Sequence, residues 1–546
     1  MLSITFIPVK MKSIFIFLVF SLISNVNISA QQPTIGLQYF KEEMSDGYVL
    51  FSSDRAAYTF LINNCGQLVN EWTGSILPQF SSYLLEDGSM IRLAGEIIEK
   101  KSWDDELIWR YYIDNENTKL HHDLEPLPNG NVLVITYDIY TEEEAISNGR
   151  NPENLFNDIV ESEKIIEIKP ISEDSFEIVW EWKLWDHLVQ DQYPNLPNYG
   201  QITEHPNRLN INYQSLFENG MVDWMHFNGI DYNPSLDQII LSSRHTSELY
   251  IIDHSTTTEE AMSSSGGNSN KGGDILWRWG NPRIYNTGTI EDKKLFGPHD
   301  PQWVQDGYPN EGKISVFNNG WQSEISRSSI HLIEPRFNEQ YTIESNDQYF
   351  PDNFYWSFSD VILDDPLNSP IKSGVQALWN GNFLITEGVT GRMSELSLDQ
   401  EVLWVYTSPI GEGLPIQYNN ISAQVFKASK YPSDYPIFTE KNISIGSIIE
   451  DVNPVTEECL NTTVSNLEID KKLDVRVYPT MSEEYIFIET LAASDKIKVE
   501  MYNLNGQRML VLENQKYIDI SEFDKGLYIL KLLIEGEYTN FRILKL

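Results

Sequence analysis

Histidine and arginine side chains carry most of the chemical capacity that this sequence shows. Nine histidines occur in 546 residues, and several lie in short polar phrases beside strand-like runs. The relevant positions are His122, His226, His245, His299 and Arg244. Near neutral pH an imidazole can act as a nucleophile or exchange a proton, and a guanidinium binds two anionic oxygens at once. Brought together by the fold, these side chains would form a cationic cluster for an anionic substrate.

The segment around His299 combines a histidine with a stiff backbone. Residues 297–301 read Gly-Pro-His-Asp-Pro, so a turn-forming segment displays the imidazole. Phrases 120–123 and 223–228 have the same character, because each places a histidine just before a strand-like run. A single histidine is most simply a hydrogen-bonded buried side chain. Three in matching phrases, with an arginine, favour a functional site.

Metal binding is the main alternative for clustered histidines. The sequence has no His-Glu-x-x-His motif and no closely spaced cysteine pair. Alternation along a strand predicts that the side chains of His121 and His122 point in opposite directions, and that His245 faces away from Arg244. We therefore predict no metal and no cofactor, while a histidine-only metal site between sheets stays open.

A degenerate repeat supplies the elements that would position these residues. One half is a turn followed by a strand, at 86–91, 128–134 and 379–385, where Asn-Gly or Asp-Gly provides the positive φ angles of tight hairpins. The other half is an apolar strand that carries one of six tryptophans: Trp72, Trp109, Trp180, Trp277, Trp356 and Trp404. Six such units predict an all-β fold, a six-bladed β-propeller at residues 36–450, whose inner strands converge on a central channel.

The charge balance limits the classes of partner. The chain has 80 acidic and 39 basic side chains, a formal net charge of −41. Such a polyanion repels nucleic acid and anionic membrane surfaces, so we predict no nucleic-acid partner. If the substrate is an anion, its site needs its own local cations.

The N-terminus has the features of an export signal. An apolar run at 14–20 follows two lysines, and Ile28-Ser29-Ala30 resembles a cleavage site. We predict a signal peptide at 1–30, whose apolar run is too short to span a membrane. Cys65 and Cys459 are the two cysteines of the chain. In an exported protein they could pair, and two free thiols stay an alternative.

The chain changes character after the predicted propeller. Residues 451–470 read as a linker, and residues 471–546 alternate like a small C-terminal β-sandwich. The runs 475–480, 499–507 and 525–532 resemble the C-terminal sorting domain of type IX secretion cargo, although Thr480 and Met481 replace two residues of its usual Tyr-Pro-Asn-Pro start. The resemblance implies the type IX secretion machinery as a partner and a secreted or cell-surface protein. An accessory β-sandwich is the alternative.

Five phrases between residues 36 and 440 occur in one order: His122-Asp123 ahead of Asn129-Gly130-Asn131, then Trp224–Asn228, Ser242–His245, Trp277–Gly280 and Gly297–Asp300. Together they resemble the bacterial arylsulfate sulfotransferases. That resemblance implies a six-bladed propeller and an enzyme that moves a sulfuryl group from a phenolic sulfate ester to a phenol. It implies no nucleotide donor and no cofactor.

The resemblance also implies catalytic roles. His299 would be the nucleophile and form a sulfohistidine intermediate, while His122, His226 and Arg244 would hold the sulfuryl oxygens. His122 or His226 would also exchange protons with the leaving and incoming phenols. Negative charge spreads over the oxygens in the transition state, so fixed cations and N–H donors should dominate the rate enhancement.

Three further residues are candidate substrate contacts. Asn228 lies in the second phrase, His121 could exchange roles with its neighbour, and Arg392 lies in a further family-like stretch. For Arg392, a structural pairing with Glu387 weighs equally with substrate contact.

Two rival functions share the same residues. One is an aryl-sulfate hydrolase, with water as the acceptor. The other is a non-catalytic surface propeller that binds sulfated or phenolic ligands. The physiological donor and acceptor and the oligomeric state stay open. Some family members dimerise through an extra N-terminal β-sandwich, and we do not expect one here because the predicted propeller starts at residue 36.

Overall fold

The computed structural model describes most of the chain after residue 34. The described residues are 35–74, 76–115, 118–155, 158–213, 222–324, 326–343, 347–411, 414–415, 423–450, 452–468, 475–478, 481–482, 484–490, 497–503, 507–534 and 537–545. The predicted signal peptide at 1–30 lies outside them. Within these residues, no helix is long and apolar enough to cross a membrane.

Six antiparallel sheets of four or five strands lie between residues 36 and 432 of the described chain. In hydrogen-bonding order, sheet 1 contains Val425–Pro432, Gly47–Ser53, Tyr58–Asn63 and Leu68–Thr73, and sheet 2 contains Gln79–Leu84, Met90–Ala94, Ile97–Lys101 and Leu107–Tyr112. Sheet 3 contains Asp114–Asn115, Thr118–Pro126, Val132–Thr141, Ile159–Pro170 and Phe176–Lys183.

The other three sheets follow the same plan. Sheet 4 contains Phe227–Asn233, Gln238–Ser243, Glu248–Asp253 and Trp277–Trp279, and sheet 5 contains Pro298–Trp303, Ile314–Asn318, Ser329–Ile333 and Trp356–Phe358. Sheet 6 contains Gly374–Ala377, Phe383–Glu387, Arg392–Leu396, Val402–Thr407 and Gly36–Phe40.

The inner strands of neighbouring sheets pack against one another around a closed ring. They are Val425–Pro432, Gln79–Leu84, Thr118–Pro126, Phe227–Asn233, Pro298–Trp303 and Gly374–Ala377. The ring closes because the late strand Val425–Pro432 pairs with the early strand Gly47–Ser53. The predicted all-β class is confirmed, and a ring of radial antiparallel sheets is the arrangement of a propeller.

The repeated tryptophans occupy equivalent outer strands, one in each sheet: Trp72, Trp109, Trp180, Trp277, Trp356 and Trp404. Several of their indole N–H groups donate to the next sheet. Trp72 donates to the Ser102 carbonyl at 2.8 Å, and Trp404 donates to the Asn64 carbonyl at 2.7 Å. The tryptophans therefore join neighbouring sheets, as buried amphipathic side chains can when the indole N–H finds an acceptor.

The predicted hairpins also occur. Gly88, Gly130 and Gly381 have φ angles of 79°, 86° and 89°, and each lies in the turn between an inner strand and the next strand of its sheet. Residues with a Cβ are strained at such angles, which explains the glycine of the Asp-Gly and Asn-Gly pairs. Asp237 takes the same turn without glycine, at φ 53°.

A disulfide joins Cys65 to Cys459, with the two Cα atoms 5.7 Å apart. Cys459 lies on the helix Pro454–Glu468, where the sequence predicts a linker. The helix begins at Asn453, whose side-chain oxygen accepts from the backbone N–H groups of Val455 and Thr456. The linker prediction therefore missed an ordered helix that is attached covalently beside sheet 1.

Shorter elements connect these parts. The other helices are Glu142–Ser147, Thr258–Ala261, Pro436–Glu440, Pro152–Asn154, Leu184–His187, Ile202–Glu204, Pro282–Tyr285 and Ile290–Asp292. Two-residue strands pair as Leu188–Val189 with Leu209–Asn210, Phe337–Asn338 with Gln340–Tyr341, Val361–Ile362 with Asp365–Pro366, and Ile410–Gly411 with Leu414–Pro415.

The C-terminal residues form two further sheets. One contains Val475–Tyr478, Tyr485–Thr490 and Tyr517–Asp519, and the other contains Met481–Ser482, Glu537–Lys545, Gly526–Ile534, Ile497–Asn503 and Arg508–Glu513. A separate apolar core lies in this part of the chain, including Val499, Leu530 and Leu532.

Candidate active site

The inner strand of sheet 3 is interrupted at its two histidines. Its pairing with the next strand shifts between Leu120 and Leu124, and His122 has a φ of 57°. A bulge of this kind redirects side chains, so strict alternation no longer holds. The Nδ1 atoms of His121 and His122 are only 2.9 Å apart. The prediction that these two side chains point in opposite directions is wrong for this reason.

The inner strands of sheets 4 and 5 are bulged near their histidines as well. His226 has a φ of 55°, and the pairing of the strand that follows it shifts just after its first residue. In sheet 5 the pairing shifts directly after His299, where Asp300 has a φ of 51°. Bulges next to active sites commonly re-aim a side chain. Here they occur in three consecutive sheets.

Three imidazoles lie in contact. The ring centroids of His122 and His226 are 4.4 Å apart and nearly perpendicular, and those of His226 and His245 are 4.9 Å apart and stacked. His245 therefore belongs to the cluster, although it was expected to face away. The expectation failed because Arg244 and His245 follow the end of the strand Gln238–Ser243, where alternation does not apply.

His299 is held by a neighbouring amide. Its Nδ1 lies 2.6 Å from the Asn319 Oδ1. The amide nitrogen of Asn319 donates to the carbonyls of Ser369 and Lys372 at 2.6 and 2.9 Å, which fixes the amide orientation. Because Oδ1 can only accept, the proton of the neutral ring is on Nδ1. The lone pair of His299 is then on Nε2.

His226 is held by a carboxylate instead. Its Nδ1 donates to the Asp223 Oδ2 in a short hydrogen bond, and the Tyr137 hydroxyl donates to the same oxygen at 3.0 Å. Burial raises the pKa of Asp223, but His226, His245 and His121 together lower it more, so the pKa lies below its usual range. An ionised Asp223 stabilises positive charge on His226 and leaves the His226 Nε2 for proton exchange.

A second carboxylate reaches His122 through His121. Glu163 Oε2 lies 3.1 Å from the His121 Nε2, and both side chains are buried. Two proton arrangements satisfy this chain. With both rings neutral, the His122 Nε2 carries a lone pair and can accept a proton. With His121 charged against Glu163, the His122 Nε2 carries a hydrogen and can donate.

Arg244 supplies the permanent charge of the site. Its backbone N–H donates to the His226 carbonyl at 3.1 Å, which ties it to the histidine cluster. Its guanidinium lies 5.6 Å from the centre of the Trp321 ring. The negative face of the indole ring attracts such a cation.

Burial keeps His299 and His122 neutral. The pKa of His299 falls to about 3, because the ring is buried and because Arg244 and His226 repel a second charge. Burial and the His226 ring also hold the pKa of His122 well below its usual range. Both rings are therefore neutral at pH 7, the form in which an imidazole is nucleophilic or can relay a proton.

The remaining candidate contacts lie in different surroundings. Asn228 is buried beside His299, and its amide donates to the Pro298 carbonyl at 3.0 Å. Arg392 lies in sheet 6, where it pairs with Glu387 and donates to the Ile362 and Pro366 carbonyls. Of the two expectations for Arg392, the structure thus has the pairing with Glu387.

Sequence reasoning missed the residues that orient the histidines. Asp223 was visible in the same phrase as His226, three residues earlier, and that spacing is a usable signal. Asn319 directly follows the second strand of sheet 5, and Glu163 lies on the strand Ile159–Pro170 of sheet 3. Both lie outside the histidine phrases. Only the register of the sheets identifies them.

One group of side chains has the donors and the spacing for a divalent ion. A carboxylate oxygen of Asp223 and ring nitrogens of His226 and His245 lie within 4.8 Å of one another. Imidazole and carboxylate are ligands of zinc and related ions. In the structure, Asp223 Oδ2 and His226 Nδ1 are hydrogen-bonded to each other.

A family comparison covers the six sheets almost completely. The family model described as arylsulfotransferase (ASST) matches residues 37–403, more than half of the chain. The chain belongs to the arylsulfotransferase family. Membership supports an arylsulfotransferase-type function for these sheets. The histidine bulges of sheets 3, 4 and 5 all lie inside the arylsulfotransferase match.

A second family model, the secretion system C-terminal sorting domain, matches residues 476–545 of the chain. The type IX sorting domain predicted from the sequence is therefore confirmed. It indicates the type IX secretion machinery as a partner and supports export to the cell surface or the medium.

Solved structures of low sequence identity align with the arylsulfotransferase sheets. A protein of unknown function from Bacteroides caccae is 11% identical, with a TM-score of 0.39, and the alignment covers 71% of this chain and 99% of the other. For virginiamycin B lyase from Staphylococcus aureus the values are 12%, 0.33, 73% and 94%, and for the Cps50 (Swd1) β-propeller domain of Myceliophteria thermophila they are 9%, 0.37, 72% and 98%. No curated protein matches the sequence.

Proposed function

We propose that this chain transfers a sulfuryl group from a phenolic sulfate ester to a phenol through a sulfohistidine at His299. The observation that carries the proposal is the state of His299: Asn319 accepts from Nδ1, and burial with Arg244 nearby keeps the ring neutral. A neutral imidazole with its lone pair on Nε2 is a competent nucleophile. The surrounding imidazoles and the guanidinium stabilise the negative charge on the sulfuryl oxygens.

In the first step the His299 Nε2 attacks sulfur. An N–S bond forms, the bond between sulfur and the phenolic oxygen breaks, and its electron pair leaves with that oxygen. The protonated His226 gives its Nε2 proton to the departing phenolate, while Asp223 holds the Nδ1 side of the ring. A positioned acid of this kind contributes about 10²–10⁴-fold to the rate.

In the second step the acceptor phenol reverses this path. Its oxygen attacks the sulfur of the sulfohistidine, its proton goes to the neutral His226 Nε2, and the N–S electron pair returns to His299. The enzyme is then in its starting state. Because donor and acceptor use the same site in turn, the reaction follows ping-pong kinetics.

The sulfuryl oxygens are held by Arg244 and His122. The guanidinium offers a planar pair of donors that matches two oxygens of one sulfuryl group. His122 donates from Nε2 when His121 carries the charge beside Glu163. His121 then acts through His122. Asn228 holds the His299 strand through the Pro298 carbonyl.

Steady-state kinetics with 4-nitrophenyl sulfate test the transfer reaction. Release of 4-nitrophenolate should rise with added phenol, and double-reciprocal plots at several phenol concentrations should be parallel. The phenyl sulfate formed should equal the nitrophenolate released. Release that ignores phenol and yields inorganic sulfate would instead show a hydrolase.

A further inference from the structure

A buried lysine connects the two strands that carry His122 and His299. Lys427 lies on the inner strand of sheet 1, and its side chain is 3% exposed. Its Nζ donates to the Asp123 Oδ2 at 2.8 Å and to the Asp300 Oδ1 at 3.0 Å. Each aspartate directly follows one of the two histidines. The ammonium thus joins the two bulges through the aspartates that follow their histidines.

The two carboxylates extend this connection to the remaining sheets. Asp123 accepts from the Tyr83 hydroxyl of sheet 2 at 3.1 Å and from the Ile230 N–H of sheet 4 at 3.4 Å. Asp300 accepts from the Val375 N–H of sheet 6 at 3.2 Å. One ammonium and two carboxylates therefore hold the inner strands of all six sheets together. Among the described residues, this group of hydrogen bonds is the one that connects all six inner strands at the histidine bulges.

The charges in this region need the lysine. Burial raises the pKa of Asp123, and Lys427 opposes that rise. Two further carboxyl groups, Glu125 and Asp231, lie close by, and burial raises the pKa of Asp231 to about 7. Burial lowers the pKa of Lys427, but Asp123 and Asp300 raise it more, so the ammonium stays charged. An uncompensated buried charge is costly.

We propose that Lys427 is a positioning residue: by bridging Asp123 and Asp300, it holds the bulges that aim His122 and His299, and it compensates the carboxylates beside them. The catalytic consequence rests on the proposed sulfuryl transfer, whereas the structural consequence does not. Without the ammonium, the carboxyl groups of Asp123 and Asp300 would lose their counter-charge next to a site for an anion. Whatever negative charge they keep would favour the charged, non-nucleophilic form of His299.

Lys430 is a matched control on the same strand. Its Nζ donates to the Glu395 Oε2 at 2.7 Å, and both side chains are fully buried. Glu395 also accepts from Ser45 and Asn382, and none of these residues belongs to a histidine bulge. Substituting either lysine removes one buried ammonium from a carboxylate. Only Lys427 is attached to the bulges.

The experiment compares the full chain with Lys427→Met and Lys430→Met. NMR of labelled histidine side chains gives the pKa of His299, which faces Arg244, His226 and His122, and single-turnover kinetics with 4-nitrophenyl sulfate give the rate of sulfo-enzyme formation. Lys427→Met should raise the His299 pKa from about 3 toward 6.5. It should slow sulfo-enzyme formation about 10²-fold at pH 7, with partial recovery at higher pH. Lys430→Met should change neither value.

Equal His299 pKa values and equal rates in the two variants would overturn the proposal. If Lys427→Met does not fold, the variant Asp123→Asn/Asp300→Asn/Lys427→Met, which is uncharged at all three positions, decides. It should keep a low His299 pKa and still lose rate about tenfold, because the bridge is gone; a wild-type rate would overturn the proposal. If Lys427→Met shifts the His299 pKa but the wild-type chain shows no sulfuryl transfer, the positioning role of Lys427 is supported and only the proposed function is rejected.

Discussion

His226 and His299 are both buried imidazoles held at Nδ1, yet their partners differ in charge. His226 faces the carboxylate of Asp223, which favours a charged ring. His299 faces the amide of Asn319, which fixes the tautomer and adds no charge. A carboxylate suits a ring that must carry a proton through the reaction. An amide suits a ring that must keep its lone pair.

The difference separates two roles that the sequence alone could not separate. Both residues lie in similar phrases, beside similar bulges, at the start of inner strands. The two proposed roles follow from the residue that is hydrogen-bonded to each Nδ1. For His226 this partner is Asp223, three residues earlier in the same phrase. For His299 it is Asn319, in the turn after the second strand of sheet 5. Exchanging the partners should exchange the properties of the rings.

The largest effect is expected for the proposed nucleophile, His299. His299→Ala should lower kcat/KM for phenol-dependent transfer by about 10⁴–10⁶-fold, because no other group can form the intermediate. His331→Ala is the control, since His331 is buried in the same sheet and bonds to Ser329 and Ser357. That control should lose stability and keep the transfer rate of its folded fraction. Comparable rates in the two variants would contradict the assignment.

A smaller effect is expected when His226 loses its carboxylate. Asp223→Asn should lower kcat/KM by about 10²–10⁴-fold, because an amide no longer stabilises the protonated ring. The loss should be greatest for phenols that are poor leaving groups, which need the proton most. Asp274→Asn is the control, because Asp274 forms a buried pair with His187 at 2.9 Å. A rate loss independent of the leaving group would argue against acid–base work at His226.

The reciprocal exchange concerns His299. Asn319→Asp should raise the His299 pKa above its value of about 3, because a carboxylate favours the imidazolium. At pH 7 more of the ring is then charged, and sulfo-enzyme formation should slow about tenfold to 10²-fold and recover as the pH rises. In the wild type His299 stays neutral as the pH falls through 6.5, so this step should not slow between pH 8 and 5. A wild-type rate that falls with an apparent pKa near 6.5 would contradict the role of the Asn319 amide.

The smallest effect on activity is expected at Arg392. Arg392→Met breaks a buried pair with Glu387 and should lower the free energy of unfolding by about 3–5 kcal/mol. The folded fraction should keep kcat/KM within about threefold. Arg244→Met should behave in the opposite way, with a large loss of rate and a small loss of stability. Denaturant unfolding and initial rates are measured on the same samples of both variants. A large rate loss in Arg392→Met, or an unchanged rate in Arg244→Met, would contradict the two assignments.

The sequence predicted the parts of the fold that depend on local chemistry. Asp-Gly and Asn-Gly pairs located the inner hairpins, and the tryptophans located one outer strand per sheet, because these residues are needed for a turn or for packing. The helix Pro454–Glu468 was missed, although pairing of Cys459 on it with Cys65 was considered from the sequence. The two cysteines are 394 residues apart, so no local pattern decided between a disulfide and two free thiols.

For the site, the sequence provided the candidate catalytic side chains and not their partners. His122, His226, His299 and Arg244 lie in recognisable phrases. Their orientation depends on bulges, and strand alternation therefore gave the wrong direction for His121 and His245. Asn319 and Lys427 come from other strands, and only the closed ring of sheets brings them to the histidines.

Mass spectrometry of the sulfo-enzyme tests the central claim most directly. The full chain is mixed with an aryl sulfate in the absence of a phenol, and the intact mass and the modified peptide are measured at once. We predict an added mass of one sulfuryl group on His299, which disappears when phenol is added. An adduct on another residue, or phenol-dependent turnover with no adduct on His299, would contradict it.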